Sequence, residues 1–245
     1  MNLQYDKKII YKLYKEYNRI YHQIPRLDDI QYIQGVPDAY AQFNSYDLYN
    51  KKYILYINPN LCSLSENTIR QKLFHEFTHI YDSVFLLNQD IESFKQLMKI
   101  YSEINASETE MAELILTQHK PYSLNKIISC DLNDFEELTL EEYMTLSAIQ
   151  LINEFKIIDI KSDLENDDLL DCVELYYFIG ELKALKNFGL TFNIDILNSI
   201  DEPFYDIIHK IIEYCMSHEL NDLNKLKQLH NEFINVINTY RKQEV

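Results

Sequence analysis

The sequence predicts an α+β fold that is mostly helical. A small antiparallel sheet and one ligand-bearing helix occupy the first half, and a C-terminal helical layer or bundle follows. Three observations predict it. Short aromatic and β-branched runs occur only before Pro59. Apolar residues recur at spacings of three and four over long stretches on either side of them. Only 3 glycines occur in 245 residues, too few for a chain built on tight β-turns or phosphate-cradling loops.

Taken in order, residues 6–21 read as a helix with Ile10, Leu13, Tyr14, Tyr17, Ile20 and Tyr21 on one side, ended by Pro25. His22 stands at its terminus, facing the last carbonyls. Ala39–Phe43 and Tyr53–Ile57 read as two antiparallel strands with the second largely buried, divided by the polar Asn44–Lys52 segment. Asn58-Pro59-Asn60 stops the second strand, because proline cannot donate to a ladder. A helix then runs from about Ser65 to about Leu87, with Ser63-x-x-Glu66 as a capping box or Ser65 as the N-cap. Its apolar stripe is Ile69, Leu73, Phe77, Ile80 and Val84. A second long helix spans Ile91 to Gln118, and a mixed acidic stretch from Ser123 to Glu137 links it to the rest. Beyond Leu138 four helical patterns follow. They are marked by Tyr143 and Leu146, by Leu169, Tyr176, Tyr177 and Gly180, by Ile207 and Ile211, and by Leu226, Leu229 and Phe233. The division expected is residues 1–130 as one domain and 131–245 as a helical region packed on it.

Composition narrows the function. Hydrophobic residues make up 47% and charged residues 25%, as in ordinary globular proteins. A formal charge of −16 repels phosphate backbones and anionic bilayers, so neither nucleic acid nor membrane is an expected partner. A basic or neutral polypeptide is compatible with that field. The polar start, the absence of an apolar span and four widely spaced cysteines (Cys62, Cys130, Cys172, Cys215) point to a cytoplasmic chain with reduced thiols, two disulfides being the alternative.

The chemistry concentrates in His75-Glu76-Phe77-Thr78-His79. Residues four apart on a helix lie one turn above each other, so two imidazoles can face one cation. Glu76 is close enough to act on water at that cation without ligating it. At about 100° per residue, both histidines lie off the apolar stripe. Candidates for a third protein ligand are Asp82, Asp90, Glu103, Glu108, Glu110 and His119. Asp82 lies seven residues beyond His75, about 10 Å along the axis at about 1.5 Å per residue. It suits a hydrogen bond from the free ring nitrogen of His79 or from a neighbouring side chain, or a solvated position, better than ligation. On the next helix Glu103, Ala106, Glu110 and Glu113 share a face, and the small Ala106 lets a neighbouring helix approach.

His75-Glu76-x-x-His79 followed by Glu103-x-x-Ala106 resembles the gluzincin layout of zinc metallopeptidases. With the preceding Ile54–Asn58 strand and capped helix, residues 32–118 are similar to the ImmA/IrrE-type peptidases of bacteria and mobile elements. The resemblance implies a zincin-like fold and Zn²⁺ as cofactor, with His75, His79 and Glu103 as its ligands and Glu76 as the general base. It also implies hydrolysis of a protein or peptide substrate in the cytoplasm, along a strand edge. Glu108 and Glu110 compete with Glu103 for the third place. Tyr101, Tyr81, His119, His209, His218 and His230 are candidates for the oxyanion donor such a reaction needs. The alternatives are a protein-binding or regulatory module with a structural or vestigial metal site, and a metal hydrolase acting on a non-peptide substrate.

Overall fold

The structure is a computed structural model of the chain, and it describes residues 3–33, 40–128, 138–155, 173–217, 220 and 222–242. Ala39, Cys130, Leu169, Cys172 and His218, named above, lie outside the described residues. The described elements are mostly helical with a small mixed sheet.

Helix α1 (Leu3–Ile20) leads into β1 (Asp29–Tyr32), β2 (Ala41–Gln42), α2 (Ser45–Tyr49) and β3 (Ile54–Ile57). The sheet order is β1-β3-β2, with β1 parallel and β2 antiparallel to β3. The antiparallel pair expected from sequence is therefore a mixed three-stranded sheet. In β1 only Ile30 is buried of four residues, so it carries no hydrophobic run to announce a strand; its order comes from the ladder to Leu55 and its neighbours. The polar segment between the strands contains α2, capped by Asn44 and anchored by the buried Leu48.

After a short 3₁₀ turn, α3 (Glu66–Leu86) begins at Ser65, whose side chain accepts the Thr68 N–H. Of the two cap readings, Ser65 holds the position, while Ser63 hydrogen-bonds back to Asn60 within the turn. Helix α4 (Ile91–Leu116) starts after the N-cap Asp90 and returns antiparallel to α3. The side-chain pairs Arg70–Glu113, Lys72–Glu110, Thr78–Thr109 and Asp82–Asn105 step down one helix as they step up the other. A two-stranded ladder of β4 (Ile127–Ile128) and β5 (Leu138–Thr139) precedes α5 (Leu140–Glu154), which opens on a Thr139/Glu142 capping box. Then come α6 (Val173–Asn187), α7 (Phe204–Ser217) and α8 (Leu223–Lys242). Gly189, with φ 70°, turns the chain out of α6.

Helix α3 is the centre of the fold. Phe74 and Phe77 are fully buried against α1, where Tyr17 meets both rings edge-on and its hydroxyl pairs with Thr78. Burying each such ring contributes about 1.5–3 kcal/mol, so α1 fixes the roll of α3 about its axis. The opposite side of α3 meets α4, and α6 lies along α4 in turn. Gly180 makes that last approach close. A Cβ there would collide with Ile104 O, with Ser107 Cβ at 2.7 Å and with Glu108 N at 2.8 Å. The amphipathic helix expected at 65–87 is thus buried on nearly every side. Val84, placed in the apolar stripe, is 45% exposed, as are its neighbours Tyr81 and Phe85 at 37% and 55%, while His75 and His79, placed off it, are buried. None of the described helices is long and apolar enough to cross a membrane.

Candidate metal centre

Helical geometry stacks the two imidazoles and the hairpin to α4 brings up an acid. His75 Nε2 and His79 Nε2 stand 3.2 Å apart. Glu103 Oε2 lies 3.6 Å from the first and 3.5 Å from the second. Two nitrogens, each about 2.05 Å from a tetrahedral zinc, would be about 3.3 Å apart, and a nitrogen–oxygen edge slightly longer. The triangle therefore has the edge lengths of one face of such a coordination sphere. Glu103 Oε2 is buried without a hydrogen-bond partner among the described residues, pointed at two nitrogens just beyond hydrogen-bond reach. A buried carboxylate oxygen left in that state calls for a cation. Residues His75, His79 and Glu103 could thus hold a metal ion.

Each imidazole is gripped from behind. His79 Nδ1 pairs with Ser102 Oγ at 2.8 Å, and Ser102 in turn hydrogen-bonds Asp82. His75 Nδ1 lies 2.9 Å from Glu110 Oε2, off the N–H axis, and Lys72 holds the other oxygen of Glu110. These contacts leave both Nε2 atoms directed inward. Burial opposes charge on all of these groups, and the pairings decide who carries it. Burial would pull His75 down, yet the Glu103 and Glu110 carboxylates outweigh it and hold the imidazole up at about 10. Burial lowers His79 to about 4, so that ring is neutral. For Glu110, burial is outweighed by Lys72 and His75, which keep the carboxyl well below the usual range.

Glu76 is 8% exposed, and burial pushes it up to about 8. One of its oxygens accepts the Phe43 N–H at 3.0 Å, just past β2. The sheet edge and the acid are therefore tied directly together. Helix α6 closes another side, where the Tyr177 ring stands edge-on to His75 with centroids 5.8 Å apart. Burial, then Glu103, Glu110 and Glu76, raises the Tyr177 phenol, so it stays a proton donor. One turn on, Glu181 is buried, pushed up to about 7 by burial, and accepts hydrogen bonds from Tyr143 and Ser147 of α5.

Several other candidates fall elsewhere. Asp82 is 1% exposed, so it is not solvated; of its expected bonded roles the structure shows the one to a neighbouring side chain, with Asn105 donating at 3.2 and 3.3 Å, and Ser102 stands between Asp82 and His79. Glu108 points away, to Asn187 and Lys183. Glu110 backs His75 through Nδ1 and does not join the triangle. Asp90 caps α4, and His119 is exposed past its end, 16 residues from Glu103 and beyond about 20 Å of intervening helix. Tyr101 turns to Phe85 and Asn105, on the flank away from His75, and Tyr81 stacks on His22. His209 packs on Tyr205, and His230 of α8 bonds Tyr176 of α6. Sequence reasoning missed Ser102 and Tyr177. Ser102 was findable as the residue before Glu103 in an antiparallel hairpin, but Tyr177 carried no signal beyond a helical face. No family model, no curated protein and no solved structure matches the chain.

Proposed function

We propose that the chain is a zinc-dependent metallopeptidase of the gluzincin type, similar to ImmA/IrrE peptidases, that hydrolyses a peptide bond in a protein substrate. The observation that carries this reading is the His75–His79–Glu103 triangle with the Glu76 carboxylate following the first histidine on the same helix. Two imidazoles and one carboxylate favour zinc over harder ions and leave a coordination place open. Zinc held there would supply Lewis acidity to water and to a carbonyl oxygen.

The remaining chemistry belongs to side chains of this protein. Glu76 takes a proton from the attacking water and returns it to the leaving amine. The Phe43 N–H fixes the carboxylate so that it need not reorganise during transfer. Tyr177 is the donor we assign to the developing oxyanion, because its phenol is protonated and its ring borders His75. Strand β2 ends the sheet order on its side and leads straight to Phe43, so a substrate added as a further strand would run past Glu76.

The test is Glu76→Gln in the zinc-loaded full chain, assayed against an unfolded protein library by terminal-amine mass spectrometry. Zinc content should stay at the wild-type level while cleavage falls by about a hundredfold or more. Wild-type cleavage by Glu76→Gln, or none by zinc-loaded wild type, would overturn the proposal.

A further inference from the structure

A second cavity lies on the flank of α3 and α4 away from His75. Its volume is about 350 Å³, within the range of small-molecule sites. Its lining includes the rings of Tyr21, His22, Tyr81 and Tyr101, with Asp82 and Asn105 among them. We infer that this cavity binds a small organic cation with a flat apolar part, an arylalkylamine in chemical class, and that its occupancy is transmitted to His79.

Four features select that class. The walls are rich in aromatic rings, and His22 lies flat on Tyr81 with centroids 3.8 Å apart and planes 9° from parallel. Burial lowers the His22 pKa, so this stack adds no positive charge to the wall. Two carboxylates, Asp82 and Glu108, line the space, and no lysine or arginine does. Glu108 is partly answered from outside the lining, by Lys183 at 3.5 Å. Asp82 has only neutral donors, Ser102 and Asn105, the latter at 3.2 and 3.3 Å. Burial raises the Asp82 carboxyl to about 8, and an ammonium group set beside it favours the ionised form and completes an ion pair inside the cavity. An anionic ligand would meet Glu108 and oppose ionisation of Asp82, and a neutral one would leave Asp82 protonated and form no ion pair.

The coupling follows from connectivity. Asp82 and His79 share Ser102, so an ammonium group drawing on Asp82 alters the hydroxyl that orients His79 Nδ1. Binding to the cavity stands independently of the peptidase reading, whereas the transmitted effect rests on His79 being a metal ligand.

The experiment is calorimetric titration of the full chain, metal-free and zinc-loaded, with benzylamine, benzyl alcohol and benzoate. Benzylamine should saturate one site in both forms, and the alcohol and the acid should bind at least about tenfold more weakly. Asp82→Asn should weaken benzylamine by at least about tenfold. Should that variant fail to fold by circular dichroism, Tyr101→Ala at the wall should give a loss of the same sense. Benzylamine should shift the zinc Kd at least about threefold in wild type and not in Ser102→Ala. Equal affinity for the three probes, no saturation with benzylamine, or unchanged binding in the folded variants would overturn the site. Failure of the metal-free chain to bind would do so whatever the zinc result. Binding with an unaltered zinc Kd would overturn the coupling.

Discussion

Replacing Ser102 with alanine probes how the buried helices set the metal centre, because one hydroxyl serves two groups there. Its oxygen lies 2.8 Å from His79 Nδ1 and also bonds Asp82, with Ser102 and Asp82 both essentially buried. Alanine leaves the volume nearly unchanged and removes the bond to His79 along with the contact to Asp82. A buried hydrogen bond is worth about 0.5–1.5 kcal/mol, so the fold should lose about that much. The effect on metal is separate. Without its Ser102 partner the neutral His79 ring is no longer held in one orientation, and losing such a support lowers metal affinity about 10- to 100-fold, or about 1.4–2.8 kcal/mol. Zinc affinity by competition with a chromophoric chelator reads the second effect, and urea unfolding of the metal-free chain reads the first. Ser83→Ala is the matched control, since that buried hydroxyl bonds only to Ile80 O of its own helix. A zinc affinity for Ser102→Ala within about twofold of Ser83→Ala would refute the idea that this contact orients a ligand.

Two further outcomes follow from the same geometry. In the metal-free chain Glu103 and Glu110 hold His75 protonated up to about 10, so a cation must displace that proton. Proton release from His75 makes apparent zinc affinity rise with pH by about tenfold per unit up to about pH 9, and Glu76, held up to about 8 without metal and ionised by a nearby cation, steepens the rise below that; His79, lowered to about 4, adds nothing in that window. A flat profile in chelator competition would contradict the pairing. Gly180→Ala forces α6 off the α4 backbone beside Glu103, and the overpacking costs about 1–3 kcal/mol, more than the gain of about 1 kcal/mol in helix propensity. Calorimetry should show a melting temperature lowered by a few degrees and a weaker zinc site; an equal or higher temperature would mean the helices do not meet there.

What could be read from sequence was what a single helix contains. His75, Glu76 and His79 are local, and their stacking needs only 3.6 residues per turn. Glu103 was legible because the short link between α3 and α4 forces an antiparallel return, although spacing alone could not separate it from Glu108 and Glu110. That separation depends on the roll of α4, which Lys72, Asn187 and Lys183 settle by pairing with the other two. The burial of His75 and His79 was not legible either. It comes from α6, whose nearest link to the site, Tyr177, is almost a hundred residues away, and a 3.6-residue period cannot say which element will cover a face. Strand β1 was invisible for a related reason, since its order comes from a parallel partner and not from its own residues.

On the proposed reading, His75, His79 and Glu103 together hold one divalent cation. Metal analysis of the native full chain by mass spectrometry, after zinc loading and removal of excess, reads that occupancy. One zinc per chain is expected for wild type and for Glu76→Gln, and none for His79→Ala or Glu103→Ala. Full zinc occupancy in either of the last two, in a chain still folded by circular dichroism, would contradict it.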